Sequence, residues 1–305
     1  MRLIQNGPLQ NSRPVPKLLV LCRKYGIDVP DDVSPKDLND RLQQKWFKEG
    51  YLRFQIKGEP PKDDDLALLR ELDCIDEVPP FLEFPPEYPP SEPRPVIYEG
   101  MVLLGALRPR VVSRLQDFTT FAPRVDFQRD WKAYLFGGAR PLDPVKESRE
   151  VLCTPAELPF KEGWTAPERM PTTEAEMMEF TWQQSQLPPE WKYELVNTPL
   201  QPKTDGGTRP PNTGDTAKEW FTKHKPRPGF YLVLSNQPFV EYQNLVVERA
   251  LRECGAPVQS VFQHSFGGEG FVMCACGLIS SLTLPLATYL DNIARQVYEE
   301  LQAAP

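Results

Sequence analysis

The chain has 305 residues, 40% of them hydrophobic and 25% charged, with a formal net charge of −7; this balance excludes a compositionally disordered chain and a generally polycationic one. Its 35 prolines are about twice the usual share, and proline fixes φ and removes a backbone donor, so much of the chain is expected to be extended. The longest apolar runs, 101–107 and 278–290, are too short to span a bilayer, and the six cysteines are scattered without a paired CxxC.

The first 27 residues contain Arg2, Arg13, Lys17, Arg23 and Lys24 and no acid. That composition suggests an organellar import signal, although Pro8, Pro14 and Pro16 interrupt its first amphipathic helix, so mitochondrial residence is the expectation and a cytoplasmic one the alternative. Residues 1–58 carry 11 basic against 6 acidic side chains and read as a small helical unit. Pro16 opens one helix and Gly26 lies just past its end. Ser34 caps a second, with Pro35 at its first position, Asp37 in its first turn, and Leu38, Leu42 and Trp46 recurring at four-residue spacing. Through Leu18, Leu21, Cys22, Gly26, Ile27, Leu38, Arg41 and Leu42 this stretch resembles a SAP motif, a helical module often found on DNA or RNA. The resemblance implies a nucleic-acid contact made by its basic residues; the alternative is a helical hairpin that buries a leucine stripe and leaves those basic residues solvated.

Residues 59–100 hold an acid-capped helix at 63–73 and then the stretch PPFLEFPPEYPPSEPRP at 79–95. Polyproline II makes no internal backbone bonds and rises about 3.1 Å per residue. Large apolar side chains on such a rod each gain up to about 1.5–3 kcal/mol on full burial. The economical expectation is a strap whose anchors Phe81, Phe84 and Tyr88 occupy pockets on another surface; an ordered strap lying on the protein's own domains is the alternative. Residues 101–140 mix seven basic side chains with aromatic rings. Arg108, Arg110, Arg114 and Trp131 are candidate partner-binding residues, since arginine and tryptophan dominate protein interfaces; phosphate contact with base stacking is the alternative. Residues 141–229 read as a Pro-rich extended segment with one helix, capped by Thr173 and Glu176. Trp164 and Trp191 are the expected anchors of a second strap.

Residues 230–305 predict the order βαββα: strands at FYLVLSN, PVQSVFQH and GFVMCAC, a turn at SFGGE, and two amphipathic helices. LVLSNQ (232–237) and GGEGFVMC (267–274) resemble the two signatures of an RNA-recognition motif. The resemblance implies a ferredoxin-like domain with three base-stacking positions, which here are Val233, Glu269 and Phe271. Phe271 alone is aromatic, and this segment carries three basic against seven acidic side chains, so the sheet is expected to face protein rather than RNA.

Catalytic signals are weak. His264 and Ser265 are adjacent, and neighbours on a strand point to opposite faces. Gly267, Gly268 and Gly270 lack the frame of a phosphate loop, and Cys274 and Cys276 read as small buried apolar residues. The sequence therefore predicts an α+β chain: an N-terminal helical unit, long Pro-rich segments, and a C-terminal domain of ferredoxin or RNA-recognition type. The function expected is a non-catalytic scaffold subunit of a large mitochondrial assembly, such as a ribosome or a respiratory or ATP synthase complex. Its partners would be other protein subunits, with no cofactor or metal; an RNA-binding cofactor is the alternative.

Overall fold

The computed structural model describes residues 2–5, 12–48, 55–82, 95–156, 158–259, 269–277 and 284–303. Local signals place the first helices. α1 (Pro16–Lys24) and α2 (Pro35–Lys45) begin at their prolines, and Ser34 Oγ accepts the Asp37 N–H at 3.1 Å. α3 (Asp63–Glu71) opens with three aspartates, which favours its positive end. Then come β1 (Ile97–Leu104), α4 (Arg108–Phe121), β2 (Asp126–Gly138) and the single turn α5 (Arg149–Leu152). α6 (Glu174–Gln184), β3 (Tyr193–Thr198) and α7 (Thr213–Glu219) follow. β4 (Gly229–Leu234), α8 (Val240–Glu253), β5 (Phe271–Cys276) and α9 (Leu286–Gln302) complete the described chain.

The five strands form one sheet in the order β3-β2-β1-β4-β5, every neighbouring pair parallel. Parallel neighbours need a long crossover, and the intervening helices supply it. Both faces of the sheet are covered, which explains why its strands are near-continuous apolar runs. On one face Met101, Leu103, Leu135, Leu232 and Leu234 join a core with Val111, Leu115 and Phe118 of α4 and Met177, Met178 and Trp182 of α6. On the other, the rings of Tyr134, Phe136, Tyr231 and Phe271 surround the fully buried Trp220.

The chain divides into two compact units. One is Met1–Glu77 with Gln237–Arg249 and Ile279–Pro305; the other is Val78–Asn236 with Ala250–Leu278. In the first, Leu18, Leu21, Leu38, Leu42 and Leu69 share a core with Ile293, Ala294 and Val297 of α9. The buried Glu300 carboxylate accepts the backbone N–H groups of Leu3 and Ile4 at 2.9 and 2.7 Å.

Four expectations change here. Helices and strands alternate around a parallel sheet, giving a mixed α/β arrangement rather than segregated α+β layers. The two N-terminal helices form, but α3 and α9 complete their core, so 1–58 does not stand by itself. The strands at 229–234 and 271–276 are neighbours, yet parallel, whereas the two signature strands of a ferredoxin-like sheet run antiparallel. The reason is topological: β1 pairs with the other edge of β4, and α8 returns the chain in the same direction. Of the expected strand PVQSVFQH and the turn SFGGE, only residues 257–259 and Glu269 are among the described residues. The segment 141–229 also holds more regular structure than its prolines suggest, with α5, α6, β3 and α7.

Candidate functional site

Strand order dictates where to look. From β1 the chain moves outward through β2 to β3, then returns to place β4 on the opposite side of β1. In open parallel sheets the connections diverge at such a reversal, and the crevice beyond the carboxyl ends of those strands is the usual ligand site.

The polar groups of the second unit gather at that edge. Arg114, on α4, is 1% exposed. Its Nε donates to Asn236 Oδ1 at 2.7 Å and its Nη2 to Ser235 Oγ at 3.4 Å, beyond β4; its Nη1 donates to the carbonyls of Leu104 and Gly105, at the end of β1. One guanidinium thus ties together the two strands that flank the reversal. Asn236 Nδ2 also donates to Ser113 Oγ at 3.4 Å.

Arg140 lies just past β2. It donates in a fork to Glu147 at 2.9 and 3.0 Å, and through Nη2 and Nε to Glu174 Oε1 at 3.2 and 3.3 Å. Its Nη2 also reaches the Ala106 carbonyl at 3.5 Å. Desolvation works against the Arg140 charge, but the Glu147 bonds and the two carboxylates outweigh it and raise its pKa. Glu147 is spent on this arginine and on the Asp143 N–H at 2.8 Å. Glu174 is different. Its Oε1 faces Arg140, while its Oε2 makes no hydrogen bond among the described residues. Burial pushes its carboxyl above the ordinary range, against the opposing pull of Arg140.

Two glycines make this arrangement sterically possible. A Cβ on Gly105 would stand 2.6 Å from the Phe136 carbonyl and 3.0 Å from Glu174 Cδ; one on Gly137 would stand 2.5 Å from Ala175 Cα. The start of α6 therefore sits directly against the end of β2. A reciprocal box secures it: Thr173 Oγ1 accepts the Glu176 N–H at 3.3 Å, and Glu176 Oε2 accepts the Thr173 and Thr172 N–H groups at 3.2 and 2.7 Å. With its own cap closed in this way, α6 presents Glu174 to the strand ends.

The residues expected to bind partners fall elsewhere or turn inward. Phe81 is half-buried against the sheet core, and its carbonyl accepts the Tyr98 hydroxyl at 2.6 Å. Trp191 lies 4.6 Å from Phe118, and Trp131 stacks 4.3 Å from Phe127. Trp164 packs 4.5 Å from Phe160, and Phe271 is buried beside Tyr231. Each of these rings touches its own chain, Phe271 fully buried and Phe81, Trp131, Trp164 and Trp191 half-buried. Phe84 and Tyr88 lie outside the described residues. Arg108 is buried and donates to the Thr154 carbonyl at 2.9 Å, Arg110 is half-buried, and Arg114 is buried between the ends of β1 and β4. In the basic N-terminal block, Lys17, Arg23 and Lys24 pair with Glu71, Asp31, and Asp64 and Asp65, which lowers their appeal to phosphate.

Sequence reasoning passed over Arg140, Glu147, Glu174, Ser235 and Asn236. The available signal was positional: GGAR and SNQ each follow directly on an apolar run, where polar residues begin at a strand's end. Among the described residues no group of three or more His, Cys, Asp or Glu could hold a metal, and no helix is long and apolar enough to cross a membrane. Comparison of the chain with protein-family models, curated proteins and solved structures finds no match.

Proposed function

We propose that the protein binds a small oxyanion-bearing molecule, such as a phosphate or carboxylate compound, in the crevice between the turns that leave β1 and β4. One observation carries this reading: Arg108, Arg114, Arg140, Glu147, Ser235 and Asn236 are all buried at a single edge of the sheet, and it is the edge where strand order reverses. Buried ion pairs seldom repay their desolvation through stability alone. Ligand binding is the economical reason to collect them there. The preference for an anion follows from α4. Its first turn contains no acid and its N-cap, Leu107, offers no side-chain acceptor, so its positive end is open to a negative group.

Amide NMR during a sulfate titration tests this, with chloride at matched ionic strength as the control. Saturable shifts at 105–110 and 235–236 with sulfate alone are expected. Shifts confined to surface lysines would contradict the reading.

Clamping of neighbouring subunits by the 79–95 stretch is the competing proposal, with Phe84 and Tyr88 as its anchors beside the half-buried Phe81. The two readings separate in one variant. Phe84→Ser with Tyr88→Ser leaves sulfate binding intact under the first, and abolishes co-purification with neighbouring subunits under the second.

A further inference from the structure

We infer that Glu174 is the proton-linked residue of this crevice: it takes up a proton from solvent when an oxyanion binds and keeps it at Oε2, from which the O–H donates a hydrogen bond to an oxygen of the ligand. The inference rests on the oxyanion reading and adds a role for one atom. The geometry supplies the argument. Glu174 Oε1 is held by Arg140 at 3.2 Å, and Arg140 is itself fixed by its fork to the fully buried Glu147 side chain. The other oxygen has no hydrogen bond among the described residues, and the side chain keeps 14% of its surface exposed. It is a positioned carboxylate with one face left for something that enters.

Charge then sets the direction of the coupling. The charged groups acting most strongly on Glu174 from its surroundings are Arg140 beyond β2, Glu147 in the following loop, and Arg114 on α4. An ionised Glu174 would repel an arriving anion in a site of low dielectric. A protonated one offers the hydrogen-bond donor that an oxyanion accepts. In the binding step a proton from solvent forms an O–H bond at Oε2, the carboxylate charge disappears, and the anion's charge takes its place beside Arg140 and Arg114. Burial already raises the Glu174 carboxyl, and the anion raises it further.

Sulfate is a suitable probe because it keeps both charges throughout the range from about pH 5 to about pH 8 used here. Equilibrium dialysis of the full chain with radiolabelled sulfate is expected to show affinity falling as pH rises through the Glu174 titration, by up to roughly tenfold per pH unit. Glu174→Gln, which keeps an oxygen for Arg140 and carries a permanent donor, is expected to bind at all these pH values without that slope. Calorimetry of the unaltered protein in two buffers of different ionisation enthalpy decides independently of how the variant folds; proton uptake on sulfate binding is expected. Saturable binding with no proton uptake, or a variant that retains the unaltered slope, overturns the proton linkage while leaving the oxyanion site standing. Absence of saturable sulfate binding at every pH overturns the site itself, and the linkage with it.

Discussion

Arg140 is the residue on which this cluster depends most, because it is the shared counter-charge of the buried Glu147 and the largely buried Glu174. Arg140→Met should lower stability by about 3–5 kcal/mol, since it leaves Glu147 and Glu174 without their cation. Denaturant midpoints measure this, and adding Glu147→Gln and Glu174→Gln to the variant should recover part of the loss. Glu174 also has a pH signature of its own. Its folded-state carboxyl is raised, so the stability it contributes is complete below the ordinary carboxylate range and is lost as pH rises through the raised value. Unaltered protein should therefore lose stability relative to Glu174→Gln across that window; a difference of the opposite sign would remove burial as the dominant influence. The thiols offer a check on the packing. Burial pushes Cys22 and Cys74 up to about 12, Cys274 and Cys276 are buried, and Cys153 and Cys254 are half-buried. Native labelling should modify Cys153 and Cys254 quickly and the other four only after denaturation.

Among the elements, α6 matters most because its first residue is Glu174 and its capping box fixes how that residue is presented. Thr173→Ala should cost about 1 kcal/mol through the lost cap. Gly137→Ala should cost about 1–3 kcal/mol, because the new methyl meets the Ala175 backbone rather than a side chain able to turn away. Thermal melts of both variants measure the losses. The helix itself was legible in the sequence: Thr173 and Glu176 stand at the capping spacing, and both cap bonds are present. The proline, serine and glycine punctuation around α1, α2, α8 and α9 was equally local and equally readable. Strand direction was not. An apolar run such as FYLVL reads the same in a parallel or an antiparallel sheet, and the partner that decides, β1, lies more than a hundred residues earlier. The arginines of 101–140 misled for a related reason. Composition suggested a charged surface, but tertiary packing turned Arg108, Arg114 and Arg140 toward the interior edge of a sheet the sequence had not revealed.

At the scale of the whole molecule, each compact unit is assembled from segments distant in sequence. The first draws on both chain ends, and the sheet of the second takes strands from 97 to 276. Neither end should fold in isolation. Residues 1–58 lack the Ile293, Ala294 and Val297 side chains of their core, and residues 230–305 lack β1, the partner on one edge of β4. Circular dichroism of these fragments should show little cooperative melting; a sharp transition in either would restore the picture of autonomous terminal modules. The six buried polar residues at the strand-order reversal were illegible for the same global reason, since only the completed sheet brings Arg114, Arg140, Ser235 and Asn236 to one edge. Crystals soaked in selenate, a heavy-atom analogue of sulfate, give the most direct test of that crevice through anomalous scattering. The account predicts a peak within hydrogen-bonding distance of the turns at 105–110 and 235–236, beside Glu174. Anomalous density found only on exposed lysines, with that edge of the sheet empty, would contradict it.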